Sequence, residues 1–327
     1  MPDSPRVLVV TADVDPTADH VIRHLLERGV SFARIDGAHF PAGLSLTATL
    51  GAAEKGEGWS GSMWGLREVD LTRLRSVYWR RAGDVRPAEA LPAEQRQWCA
   101  RQGRHALWGV LRSLPVRLVN DPAAVEGAES KPVNLAAARA CGLVVPPTLI
   151  TNRPEDVPPF AAEVGGRIVY KPLDGRGLRD KHGRPSRVVY VTEVPTGRWE
   201  DPGIRATGHC FQQLIDKDHD LRVTVVGRQM FAVEIRSATG RDLLDWRAHY
   251  ADLDYRIGEL PEPESLGVAR LLKHLGLHFA TLDFVVEKGT GRHLLVDVNP
   301  AGQWAWLEYR TGIPISASIA DLLMEQP

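Results

Sequence analysis

Cysteine is scarce in this chain of 327 residues: Cys99, Cys141 and Cys210 stand far apart and form no CxxC. A disulfide framework needs an even and denser set, so a reducing cytoplasm is the expected setting. An excess of charge of one sign is also missing. Lys+Arg 40 against Asp+Glu 41 gives a formal charge of −1, with no global basic field to draw the chain to nucleic acid or acidic lipid. Long apolar runs are absent too. VLVV (7–10) is too short for a signal peptide's apolar region, and nothing approaches the length that spans a bilayer. The loop after VLVV, TADVDPTAD, holds no glycine, so a GxGxxG fingerprint is missing there. No GxxxxGK[ST] phosphate loop, GxSxG elbow or Ser-His-Asp arrangement occurs anywhere.

What is present is a globular composition, 43% hydrophobic and 25% charged, in a chain too long for one ordinary core. Two or three lobes are expected. VLVV, TADHVIRHLLERG (17–29) and FARID (32–36) read as strand, amphipathic helix and strand. LSLTATL (44–50) and GWSGSMWG (58–65) suggest a hairpin, SVYWRRAG (76–83) a strand ending in two arginines, and residues 92–115 a helix bounded by prolines. The sequence changes character near 118. Beyond it, SKPVNLAAARACG (130–142) reads as a helix with Pro132 in its first turn, RIVYKPLDG (167–175) as a strand, and 175–186 as a basic loop before the strand RVVYVTEV (187–194). CFQQLI (210–215), LRVTVVG (221–227) and QMFAVEIRS (229–237) are strands, SLGVARLLKHLGL (265–277) is a helix, and 280–300 is a hairpin.

That last hairpin carries polar groups where a core strand should not. In HLLVDVNP (293–300), Asp297 and Asn299 point the same way because side chains alternate along a strand. A three-residue loop, Gly289–Gly291, would set Asp283 opposite Asp297; a two-residue loop would set it opposite Val296, on the other face. In the first register two carboxylates and an amide oxygen converge, a set that suits Mg²⁺. The competing reading has Asp297 and Asn299 capping a turn before Pro300 while Asp283 meets solvent or a lysine.

Four cations stand out, three of them in apolar strands. Lys171 ends the strand IVYK, where a lysine should face a cavity or an anion such as phosphate. Lys131, at a helix start, reads by itself as an ordinary exposed lysine. Arg222 and Arg236 lie in strands joined by a turn at Gly227, so both would sit on one sheet and face one cleft, where guanidinium groups suit oxyanions; the alternative is a solvated sheet face. His209 and Cys210 are neighbours on a strand and point apart, which argues against zinc. His105, near Cys99, reads as helix surface, and most of the nine tryptophans fit core or lobe-interface packing.

The order of these signals resembles a family. NDP (120–122), Lys131, GLVVPPTLIT (142–151), YKPL with Lys171, FQQLI (211–215), DLRVTVVG (220–227), Asp283 and DVNP (297–300) follow one another as in ATP-grasp ligases. YWRRAG (78–83), DWR (245–247) and NPAGQWAWLE (299–308) are similar to one branch, the ribosomal peptide maturases that make graspetides, microviridin-like peptides with cross-linked side chains. The resemblance implies an α+β fold with an α/β N-terminal lobe and three parts: a pre-ATP-grasp domain (1–118), a central lobe (119–205) and a C-terminal lobe (206–327), with ATP between the last two. Lys131 and Lys171 would hold the α- and β-phosphates. Gln213, Leu214 and Ile215 would receive adenine, largely through backbone groups, and Lys217 would lie at the ribose end. Asp283, Asp297 and Asn299 would hold Mg²⁺, while Arg222 and Arg236 would stabilise the transferring phosphoryl group. Asp297 stands where such ligases usually carry Glu, Gln213 where Glu is common, and the loop 175–186 lacks a strict glycine-rich form. The implied partner is a ribosomal precursor peptide, leader plus acidic core, met by Arg80, Arg81 and Arg247. A homodimer is compatible with this reading; nucleic-acid and membrane partners are not expected. Two other readings share parts of the pattern: a ligase of free amino acids or of a protein tail, similar to glutathione synthetases or ribosomal-protein glutamate ligases, and a non-enzymatic peptide scaffold with a relict nucleotide fold.

Overall fold

The computed structural model describes residues 4–51, 58–174, 178–179, 185–241 and 243–325. The first lobe opens with β1 (Val7–Val10), α1 (Pro16–Glu27) and β2 (Phe32–Ile35). Asp15 caps α1, accepting from the Thr17 and Ala18 amides, with Pro16 pre-set for the first turn. A meander of β3 (Ser45–Leu50), β4 (Trp59–Trp64) and β5 (Glu68–Asp70) follows, then β6 (Ser76–Trp79), α2 (Ala93–Ser113) and β7 (Arg117–Val119). The parallel sheet runs β2-β1-β6-β7, while β3-β4-β5 form a separate antiparallel sheet. The strand expected over 76–83 stops at Trp79, because Arg81 takes a left-handed conformation, φ 47, that no strand accommodates.

Next come α3 (Pro122–Ala128), α4 (Lys131–Ala140), β8 (Thr148–Thr151), α5 (Val157–Glu163) and β9 (Ile168–Lys171). A short ribbon, β10 (Leu178–Arg179) with β11 (Pro185–Arg187), precedes β12 (Thr192–Glu193) and β13 (His209–Gln213). Much of the basic loop 175–186 lies outside the described residues. The strand expected over 187–194 is instead two short pieces joined by irregular chain at 188–191.

The largest sheet holds β14 (Lys217–Val226), β15 (Gln229–Ser237), β16 (Leu253–Gly258), β17 (Phe279–Glu287) and β18 (His293–Asn299), in the antiparallel order β16-β15-β14-β17-β18. Helix α6 (Glu262–Leu275) connects β16 to β17, and α7 (Ala305–Thr311) and α8 (Ile315–Met324) finish the chain.

Two expected boundaries move. β13 pairs with β8 and β9 and completes the central sheet β12-β9-β13-β8, so the central lobe extends through Gln213 instead of ending at 205. Conversely, α4 leaves the central lobe: Ala137 and Ala138 pack with Val223, Leu271 and Leu282 on one face of the five-stranded sheet. The opposite face of that sheet gives Val226, Val233 and Phe279 to a core shared with α8, α1 and β1. Apolar periodicity identified these segments as elements but carried no information on which sheet each would cover. Among the described residues, no helix is long and apolar enough to cross a membrane.

Candidate functional site

A cavity of about 910 Å³ lies between the central sheet and the five-stranded sheet. Lys171 and Gln213 line it from one side, Lys131 from the start of α4, and Asp283, Asp297 and Asn299 from the other.

The hairpin register decides the acidic wall. Asp283 does stand opposite Asp297, and Thr281 opposite Asn299, but the turn is not the expected three-residue loop. The Glu287 amide donates to the Arg292 carbonyl, closing a four-residue loop whose register, left uninterrupted, would put Asp283 opposite Val296. A β-bulge at Val296 inserts one residue and restores the pairing. Because of that bulge, Leu295 stays in the core with Phe284 while Asp297 turns to the cavity.

Neither carboxylate is bare. Asp283 sits directly opposite Arg222 on the neighbouring strand and accepts from its guanidinium at 2.6 Å. Lys131 donates to Asp297. Asn299 caps the following turn, its Oδ1 accepting from the Ala301 amide at 3.2 Å. The capping reading therefore holds for Asn299, but the lysine meets Asp297 and an arginine meets Asp283. Two carboxylates and an amide oxygen are a hard-oxygen set that fits Mg²⁺, with the two cations balancing the acid charge meanwhile. No group of three His, Cys, Asp or Glu side chains that could hold a metal gathers among the described residues, so the set here rests on two carboxylates and the Asn299 amide.

Lys171 is buried, and that burial pulls its pKa down to about 8; Asp297 opposes the shift and Lys131 adds to it. Its Nζ lies 3.5 Å from the carbonyl of Val296, the bulge residue. Lys217 is held at 2.6 Å by Asp220, whose carboxyl is pushed up to about 6, chiefly by burial. At the end of β13 the Gln213 amide donates to the Pro147 carbonyl. Proline has no N–H to return the bond, so the Gln213 carbonyl receives none from Pro147, and Gln213 lines the cavity. The Gln213 side-chain amide donates to the Val164 carbonyl at 3.1 Å, which turns it to the protein.

Known proteins resemble this chain in sequence and fold. Residues 6–126 match the family described as the MvdD pre-ATP grasp domain. The macrocyclase MdnC of Microcystis aeruginosa MRC, solved with its precursor peptide MdnA, is 27% identical, with 97% of this chain and 98% of that one covered and a TM-score of 0.80. The macrocyclase MdnB of the same organism is 28% identical, over 98% of this chain and 99% of that one, with a TM-score of 0.76. The first lobe thus matches a pre-ATP-grasp family, and the chain as a whole has the fold of the ATP-grasp macrocyclases. A RiPP-associated ATP-grasp ligase of Chryseobacterium gregarium, solved with ADP and a leader and core peptide, shares the fold at a TM-score of 0.86 with 24% identity, over 98% and 96% of the two chains. Among curated proteins, a glutathione synthetase of Anaplasma centrale is 27% identical over 212 residues, and the match spans 61% of that relative's length.

Within this ATP-grasp chain not every expected residue reaches the cavity. Arg222 is buried against Asp283, Thr281 and the Gln303 carbonyl, with its guanidinium 5.5 Å over the Trp246 ring. Arg236 is on the opposite face: the register that pairs Arg222 with Val233 sends the side chain of Arg236 away from the cleft, to Asp218 and Glu234. The expectation that both arginines face one cleft fails by parity along β15. Arg80 is also displaced from its expected role. It is buried, 3.0 Å from Asp15 and 2.7 Å from the Gln303 side-chain oxygen, so it ties the lobes together. Arg81 is exposed and lines the cavity. Arg247 lines it too, in a two-pronged pair with Asp245 at 2.9 and 2.7 Å, and that hydrogen bonding raises its pKa.

Three residues of the segments NDP and NPAGQWAWLE take roles that the sequence did not assign to them. Asn120 holds the hairpin's ends: its side chain donates to the Phe279 and Pro300 carbonyls and accepts from the His278 and Phe279 amides. Gln303 joins Arg80 and Thr17, through its side chain, to Arg222, through its carbonyl. Gly302 lets that strap lie on Thr281, since a Cβ there would sit 1.8 Å from the Thr281 hydroxyl.

Proposed function

We propose that this chain uses ATP to activate Asp or Glu side chains of a ribosomal precursor peptide and joins them to Ser or Thr hydroxyls, or to Lys amines, making macrocycles. The observation that carries the reading is the cavity in which Lys131 and Lys171 stand across from Asp283, Asp297 and Asn299, in a chain whose first lobe matches the maturase family. In the reaction a substrate carboxylate oxygen attacks the γ-phosphorus and ADP leaves with the bridging oxygen. A hydroxyl or amine then attacks the acyl carbon, and phosphate departs as an ester or amide bond forms. The carboxylate acquires a leaving group this way, so no protein nucleophile is required. Cys210, buried with its thiol pushed up by that burial, is not recruited.

In this reading Lys131 and Lys171 hold the α- and β-phosphates. The Gln213 carbonyl and the Ile215 backbone take adenine, and Lys217 meets the ribose end. Asp283, Asp297 and Asn299 hold Mg²⁺, which when bound neutralises charge on the β- and γ-phosphates. Arg222 fixes Asp283, a positioning role. Arg81 and Arg247, at the cavity wall, meet an acidic core segment, and the precursor's leader docks on a surface away from the phosphates. The similarity to glutathione synthetase supports a second reading, with free amino acids as substrates. Mass spectrometry separates the two: a peptide encoded beside this chain, incubated with enzyme, ATP and Mg²⁺, loses one water per link. ADP release driven by free amino acids, with the peptide unchanged, would replace the first reading by the second.

A further inference from the structure

Arg80 and Gln303 come from the segments YWRRAG and NPAGQW, and neither lines the cavity. A line of polar contacts nevertheless leads from them to its acidic wall. Asp15 is the fixed point in the first lobe. One of its oxygens accepts from the Thr17 and Ala18 amides; the other accepts from the Thr11 hydroxyl at 2.8 Å and lies 3.0 Å from Arg80 Nε. Arg80 donates onward to Gln303 Oε1 at 2.7 Å, and the Thr17 hydroxyl donates to the same oxygen at 3.3 Å. The main-chain carbonyl of Gln303 then accepts from Arg222 at 3.1 Å, and Arg222 donates to Asp283 at 2.6 Å.

The order is carboxylate, guanidinium, amide, guanidinium, carboxylate. Each buried arginine keeps one carboxylate, and Gln303 gives each of them an uncharged acceptor. A guanidinium is flat and its donors form a rigid fork, so fixing one nitrogen aims the other. Arg222 Nη2 is fixed from two sides, by the Thr281 hydroxyl and the Gln303 carbonyl, which leaves Nη1 on Asp283. The strap carrying that carbonyl starts at Asn299, the end of β18, and runs to Trp304, which is fully buried in the core shared with α1 and α8. Between those points the Gln303 side chain ties it to the first lobe.

We propose that Gln303 is a positioning residue for the metal wall: anchored by Arg80, it aims Arg222, which holds Asp283 in the direction that ligates Mg²⁺. The inference rests on the reading of Asp283 as a magnesium ligand and holds for a peptide or a free amino acid as substrate. The first lobe thereby sets metal affinity without touching the metal. Partners of metal-ligating carboxylates typically carry roughly 10- to 100-fold in metal affinity, so Gln303, one contact further out, should carry about three- to tenfold.

Calorimetry of ADP binding to the full chain, with and without Mg²⁺, tests this without turnover. Wild type should bind ADP more tightly with Mg²⁺, and Asp283→Asn should remove the difference. Failure of either result overturns the metal reading and this proposal with it. Gln303 is half-buried, and methionine matches its shape without offering Arg80 an acceptor. Gln303→Met should cut the magnesium-dependent tightening about three- to tenfold and leave magnesium-free ADP affinity unchanged. Gln303→Glu keeps an acceptor and should retain most of the tightening. In an Arg222→Gln background, Gln303→Met should cost nothing further, because its effect runs through Arg222. With the wild-type and Asp283→Asn results in place, three outcomes overturn the role of Gln303 alone. They are full tightening in Gln303→Met, equal loss in Gln303→Glu, and an undiminished further loss in the Arg222→Gln background.

Discussion

Each acidic residue of the cavity wall is neutralised by a neighbour before any ligand arrives. Burying an ionised carboxylate without a partner is costly, and Arg222 and Lys131 remove that cost at Asp283 and Asp297. Lys171 has no carboxylate so close, and its lowered pKa records the deficit. An arriving phosphate supplies the missing charge, so Lys171→Ala should weaken ADP binding roughly 10- to 100-fold, the range for a charge-assisted hydrogen bond, read by calorimetry. The pH dependence has a definite sign. Phosphate favours the protonated amine, so ADP affinity should be flat below pH 7 and fall as pH rises through about 8. Without nucleotide the same group works the other way: its folded pKa lies below the unfolded value, so the unfolded chain binds more protons and stability rises between about pH 8 and 10.5. Lys171→Arg should keep ADP affinity flat to pH 9, since guanidinium does not titrate there; an unchanged fall in that variant would assign the effect to another group.

Single elements show how far the sequence could be read. The strands and helices around the site follow from apolar periodicity, and alternation along HLLVDVNP puts Asp297 and Asn299 on one face, with Asp283 left to the turn register. Yet Asp283 and Asp297 meet for a reason the letters do not carry. Val296 is an ordinary strand residue, and nothing in its type announces a bulge. Arg236 failed for a related cause, because its facing direction depends on a pairing register that the turn at Gly227 alone does not fix. Long-range partners such as Gln303 on Arg80 were equally out of reach, being set by packing between lobes. The bulge makes a sharp prediction. Deleting Val296 should either carry Asp297 to the core side or draw Leu295 out of it, so ADP should lose its magnesium-dependent tightening and the melting temperature should fall. Val296→Ala keeps the extra residue and should retain that tightening. Loss of the tightening in both variants would mean that the side chain, not the insertion, matters. Gly302→Ala acts on the adjoining strap: its methyl must displace Thr281, loosening the Gln303 carbonyl from Arg222, and should raise the magnesium concentration needed for half-maximal turnover.

At the scale of the molecule, the lobes are interleaved, not strung along the chain. α4 covers the five-stranded sheet, β13 returns to the central sheet, and α8 comes back from the C-terminal end to the first lobe. Helix α8 buries Ile315, Ile319, Leu322 and Leu323, and the Leu323 and Leu322 carbonyls accept from Ser76 at 2.7 Å and Arg117 at 2.8 Å. Four such side chains at about 1.5–3 kcal/mol each are comparable to the whole stability of an ordinary domain. The first lobe, though it matches a family of its own, should therefore not melt independently. Leu323→Ala should cost about 2–5 kcal/mol, and the loss should appear in the urea unfolding of the entire chain as one transition shifted to lower denaturant. Tryptophans in different lobes provide the check: Trp79 packs beside Trp108 in the first, and Trp246 beside Trp306 at the five-stranded sheet. Replacing Trp59, Trp64, Trp79, Trp98 and Trp108 with phenylalanine confines fluorescence to the rest of the chain, and replacing Trp199, Trp246, Trp304 and Trp306 confines it to the first lobe. If the core joining α1, α8 and the sheet couples the lobes as its packing indicates, both reporters move together in Leu323→Ala; separate midpoints would mean that α8 holds the first lobe alone and that the shared core transmits nothing.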